Sequence, residues 1–167
     1  VHAKNGVPVP QQPTPPADPP EGEAAELAAL VALFPPPETM RALRASFERF
    51  DALFRYVPAS VVRRAALLPH GAEREDGPLL ALLAAMCLVG ALTEQGPAAG
   101  LRRLTDGLLR HCTTYGPHDI DYAHAAVVAS AAELMGPSSS PARAWVAVGT
   151  ARAACMLARA HEDRNES

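Results

Sequence analysis

Between Asp76 and Glu94 the chain reads GPLLALLAAMCLVGALT, a stretch without one charged side chain. A helix of this composition has no polar stripe to turn toward water, so it is stable only where neighbours cover it on every side. Its apolar part, Pro78 to Leu92, is shorter than the roughly 20 residues that a bilayer span requires, and TEQG follows without a basic flank. We therefore expect a central core helix from Leu79 to about Glu94, capped by Asp76, with Pro78 tolerated in its first turn. The rest of the chain then has to supply helices that enclose it, and 167 residues suffice for one domain of that kind.

The enclosing helices follow from periodicity. Met40, Leu43, Phe47, Phe50, Phe54 and Val57 recur at steps of three and four and form one stripe, with Glu48, Arg49, Asp51 and Arg55 off it. Three of the four phenylalanines lie on this stripe, so it should bury deeply. Pro58 ends the segment, and ASVVRRAAL is expected as a short helix capped by Ser60. Upstream, EAAELAALVALF is a short amphipathic piece stopped by Pro35-Pro36-Pro37. HGAEREDG, from His70 to Gly77, is a polar loop.

Beyond the core helix, Gly96-Pro97 turns the chain into a helix through Leu101, Leu104, Leu108 and Cys112, with Arg102, Arg103, Asp106 and Arg110 facing outward. Gly116-Pro117 stops it, and a further helix runs from about Ile120 to Met135. After Gly136-Pro137, Ser140 caps a last helix with Pro141 at its first position, extending to about Ala160. No β-like alternation competes, and the tetratricopeptide spacing is not met at a fixed period. The expected fold is all-α, about six helices in antiparallel hairpins over residues 23–167. Ahead of it, the proline-rich segment 1–22 reads as a disordered linker, because proline lacks the amide donor and no apolar period supports a helix.

Charge and cysteine usage narrow the function classes. A formal net charge of −3 argues against a surface that grips nucleic acid by itself. Cys87, Cys112 and Cys155 are isolated, form no C-x-x-C pair, and read as small buried hydrophobes in a reducing compartment. No secretory leader pattern stands in the first twenty residues, and the start at Val1 reads as a fragment of something larger.

Candidate chemistry is sparse. HDIDYAH is the densest polar cluster, but His118 and His124 lie six apart and so on different helix faces, while Asp119 or Asp121 is placed to cap a helix start. His111-Cys112 with His118 lacks a fourth ligand at metal-site spacing. Ser60, Ser130 and Ser138 to Ser140 have no flanking nucleophile motif, and no phosphate-cradling glycine loop occurs. Arg63-Arg64 and Arg102-Arg103 read as solvated basic pairs, and Thr14-Pro15 and Ser140-Pro141 as linker and cap. An enzyme reading has no positive support. The single tryptophan, in SPARAWVAVGTARAACMLARAH, is expected to anchor the core, with Val148, Gly149, Ala151 and Cys155 kept small so that the helix lies close to its neighbours.

The order and texture of these helices resemble the fungal-specific transcription factor domain, the middle homology region of fungal zinc-cluster (Zn2Cys6) regulators. In FERFDALFRYVPASVVRRA, Phe47, Phe50, Phe54, Val57 and Pro58 stand where that family has an aromatic helix ending near a proline. Gly90 stands at the glycine of its leucine- and alanine-rich helix. Glu133, Arg143, Ala144, Trp145, Gly149, Ala151 and His161 match a hairpin with a Glu-Leu end, a polar loop and an Arg-Ala-Trp start. Leu157-Ala158-Arg159-Ala160 departs from the Gly-Leu that precedes the family's histidine.

The resemblance spans about Glu38 to Asp163, the N-terminal half of such a domain, so the helical part is expected to be incomplete and to expose an apolar face. It implies a nuclear regulatory domain that does not touch DNA, working with other domains of the same regulator and the transcription machinery. Zinc is expected only in a separate DNA-binding segment with six cysteines, and no cofactor in this chain. A small-molecule effector and a dimer fit the same reading; a membrane does not. A stand-alone helical interaction scaffold is the alternative.

Overall fold

The computed structural model describes residues 21–54, 57–68, 76–116, 119–135 and 141–165. Among them are seven helices and no strand, one helix more than the pattern counted: α1 (Glu21–Val31), α2 (Pro37–Phe54), α3 (Ala59–Ala65), α4 (Gly77–Thr93), α5 (Ala99–Tyr115), α6 (Ile120–Met135) and α7 (Pro141–Asn165). The all-α reading therefore holds. The expected linker lies outside the described residues up to residue 20, as do most of the HGAEREDG loop and the Ser140 cap.

Helix α4 is buried from Gly77 to Ala91, as its composition demands. Four helices surround it: α2, α3, α5 and α6 all pack directly on it, while α1 lies on α5 and α7 on α6. On α2 the expected stripe faces inward, with Met40 and Phe47 buried and Leu43 and Phe50 half-buried against the core; Val57, just beyond the helix, is buried too. Leu101, Leu104, Leu108 and Cys112 do the same for α5. On α6 the inner face is mostly alanine, through Ala123, Ala125, Ala126 and Ala132, with Tyr122 and Val128. Small side chains let α6 approach α4 closely, which is why this pair forms the most extensive helix contact.

Caps and turns follow the expected residues only in part. Asp76 occupies the N-cap of α4 with Pro78 in the first turn, though without a side-chain capping hydrogen bond. Ser60 does not cap α3: the N-cap is Pro58, whose fixed φ of −59° starts the helix two residues earlier than a Ser60 cap would. Behind α4, Gly96 N–H donates to Ala91 O at 2.8 Å and Gln95 N–H to Leu92 O at 3.2 Å. Gln95, at φ 53°, holds the left-handed position of this closing turn, which redirects the chain into α5. At the same end, Ser46 Oγ and Arg49 Nη2 both donate to Glu94 Oε1 at 2.7 Å, tying α2 to the end of α4. Those hydrogen bonds, Ser46 first, hold the Glu94 carboxyl below its usual range, so the tie is present near neutrality and is lost on acidification.

Two glycines mark close approaches of very different stiffness. A methyl on Gly90 would overlap the main-chain carbonyl of Leu43, because α2 crosses α4 at that point. A methyl on Gly107 would instead meet only Leu30 Cδ2, at 2.7 Å, the free end of a flexible side chain from α1. Gly90→Ala is thus expected to lose about 3 kcal/mol in urea unfolding, by forcing two backbones apart. Gly107→Ala should fall within about 1 kcal/mol of the parent, since the helix-propensity gain offsets a small shift of Leu30.

Candidate functional site

Helices α5 and α7 do not pack extensively on each other; they stand on either side of α6 and leave a groove between them. Its floor is Leu88 of α4 with Ala126, Ala129 and Ser130 of α6. Thr105, Asp106 and Leu109 form one wall, and Ala142, Val146, Ala147 and Thr150 the other, enclosing about 370 Å³. Small residues in its floor, Ala126, Ala129 and Ser130, leave this space unfilled. Its hydroxyls are turned back onto their own helices: Thr105 Oγ1 donates to Leu101 O at 2.8 Å, Ser130 Oγ to Val127 O at 2.8 Å, and Thr150 Oγ1 to Val146 O at 3.0 Å. With their protons so used, none of these hydroxyls is poised as a nucleophile or as a donor to a ligand.

One end of the groove is electrostatic. Glu133 of α6, with only 13% of its side chain exposed, pairs through Oε1 with Arg102 of α5 and approaches Arg143 Nε of α7 at 3.5 Å through Oε2. One carboxylate thus joins three helices. Arg102 was expected to face outward; its side chain is instead 15% exposed, because the guanidinium reaches across to Glu133 of α6 while Arg103 stays exposed. Arg143, on the α7 side, is half-exposed.

The polar cluster at the start of α6 does structural work where it is described. Asp119 Oδ1 accepts Tyr122 N–H at 3.0 Å and so caps α6, while buried Asp121 accepts Arg64 Nη2 at 2.9 Å and fastens α3 to α6. Arg64 is therefore a tether as well as a solvated cation: its side chain stays 57% exposed, and Arg63 beside it is exposed, as expected for this basic pair. His118 lies outside the described residues. His124 borders a second cavity of about 650 Å³, between α2, α3 and α6, which Pro58, Val62 and Arg63 also line. Buried His111 packs against the Tyr115 ring in a tilted arrangement, with ring centroids 4.9 Å apart and planes at 50°. Among the described residues no three His, Cys, Asp or Glu side chains come together as a metal site.

The residues that carry the family resemblance divide into two groups. Phe47 and Gly90 lie in the α2–α4 contact, and Glu133 and Arg143 face each other across the α6–α7 turn. Pro58 starts α3. The side chains of Phe54, Ala144 and His161 lie outside what the structure describes. Trp145 and Gly149 depart from expectation. Trp145 is 78% exposed and does not anchor the core, and a methyl on Gly149 would meet nothing within 4 Å. The reason is rotational: α7 lies on α6 through Ala147, Ala151, Ala154 and Ala158, and Trp145, six residues before Ala151, sits about 120° round the helix. Val148 and Cys155 also point away from α6.

Burial pushes the thiols of Cys87 and Cys112 up to about 12, with Asp119 adding to the effect at Cys112 and Arg44 opposing it slightly at Cys87. Only Cys155 is exposed. Iodoacetamide at pH 8 should therefore label one cysteine of the native chain, Cys155, and three after denaturation; mass spectrometry of the alkylated peptides checks it. Glu133→Ala should cost about 2 kcal/mol in denaturant unfolding, because Arg102 is left largely buried without its carboxylate. Arg143→Ala should cost less than about 1 kcal/mol, since that partner is half solvated.

No family model matches the chain, and no match is found among curated proteins or solved structures.

Proposed function

We propose that this chain is a regulatory helical domain of a fungal zinc-cluster transcription factor, one that modulates transcription through contacts with other proteins and does not itself touch DNA. The observation that carries the reading is the outer side of α7, where Trp145, Val148 and Met156 are all exposed. A domain that works alone as a solvated unit has little reason to present these side chains together; a domain that docks against further protein does. Supporting it are the packing positions shared with the resemblance, Phe47 and Gly90 in the core and Glu133 opposite Arg143. The Thr105 and Ser130 hydroxyls and the Glu133 carboxylate, all engaged within the groove, favour a non-catalytic role, and the formal charge of −3 favours indirect contact with DNA.

A stand-alone interaction scaffold is the second reading, favoured by α4 being enclosed from Gly77 to Ala91 by helices of this chain. The coding sequence that adjoins Val1 separates the two. Under the first reading it encodes a six-cysteine cluster opening C-x2-C-x6-C, and the 167-residue chain produces no shift of duplex DNA in a gel. An open reading frame that starts close to Val1 without the cluster overturns the first reading and leaves the scaffold.

A further inference from the structure

Among the described residues helix α7 packs extensively on α6 alone, and its exposed side carries large apolar side chains. Trp145, Arg152 and Met156 stand at steps of seven and four, so they form one ridge opposite the alanines that meet α6. Trp145 is 78% and Met156 64% exposed, and Arg152 and Arg159 extend the ridge as exposed cations. The same helix forms a wall of the α5–α7 groove through Val146, one residue beyond Trp145 and so about 100° round the axis. An apolar knob and an apolar hole therefore occupy neighbouring faces of one helix.

That juxtaposition is self-complementary. A two-fold axis beside α7 sets the ridge of each copy over the groove of the other, with the same patch used on both sides. The charges match as well: the ridge is basic, while the α5 wall of the groove carries exposed Asp106, whose carboxylate enters none of the described ion pairs. A small polar ligand fits the groove less well, because the Thr105, Ser130 and Thr150 hydroxyls donate to their own helices.

We propose that the α7 ridge is a homodimer surface, with Trp145 of one copy seated in the α5–α7 groove of a second copy and Arg152 meeting the second copy's Asp106. This surface goes beyond the regulatory reading and does not rest on it. Sedimentation of the 167-residue chain from about 1 to about 100 µM should show a reversible monomer–dimer equilibrium, with the emission of the single tryptophan moving to the blue as dimer forms. Trp145→Ala should weaken the dimer about thirty-fold or more without changing helix content by circular dichroism, since the indole is exposed in the monomer. Arg152→Glu and Asp106→Arg should each weaken it, and the two together should restore much of the loss. A chain that stays monomeric throughout, a dimer indifferent to Trp145→Ala, or a double variant no tighter than either single one overturns the proposal.

Discussion

The demand that α4 be hidden on every side organises this protein. From Gly77 to Ala91 the helix offers water nothing but leucine, alanine and similar side chains, and each fully buried leucine contributes on the order of 2 kcal/mol. No single amphipathic partner can cover a cylinder. The chain meets the demand by laying α2, α3, α5 and α6 directly on it, so these helices are positioned by one shared surface more than by each other. The modest direct contact between α5 and α6, which are consecutive in the chain, follows from this arrangement.

Close approach is the second constraint, and it depends on small residues. Gly90 lets the backbone of α2 pass against α4, and the alanines of α6 bring that helix close to α4 as well. The same economy of side-chain volume opens the groove, since Ala126, Ala129 and Ser130 fill little of the space between α5 and α7. Polar contacts then hold the outer layer in register. Arg64 with Asp121 joins α3 to α6, Arg49 with Glu94 joins α2 to the end of α4, and Arg102 with Glu133 joins the consecutive helices α5 and α6. Of these, the Arg102–Glu133 pair is largely hidden from solvent, where breaking it costs more than breaking a surface pair.

Helix α7 stands outside this economy. Its apolar residues are distributed around the helix, yet α6 covers only the alanine side. An isolated helix of that kind would be held by little more than one stripe of methyl groups. Glu133 adds an electrostatic hold at the N-terminal end through Arg143. The ridge of Trp145, Arg152 and Met156 is left as an apolar and cationic surface that further protein can cover, which is where a functional reading of the chain concentrates.

Helix existence was legible because a continuous apolar run, a stripe with period 3.6, and the Gly-Pro pairs are local signals; they placed α2, α4, α5, α6 and α7 and the inward sides of α2 and α5. Asp119 as a cap was legible for the same reason, since capping acts within one turn. The site was mostly hidden. Arg102 turning inward to Glu133, Arg64 pairing with Asp121, and the groove itself depend on residues brought together from separate helices, and no periodicity encodes them. Trp145 shows the limit most clearly. In α7 large and small apolar residues alternate around the axis without a dominant side, so composition made the helix certain but left its rotation open. Only packing against α6 decided that rotation, because four alanines fit a close helix contact and one indole does not.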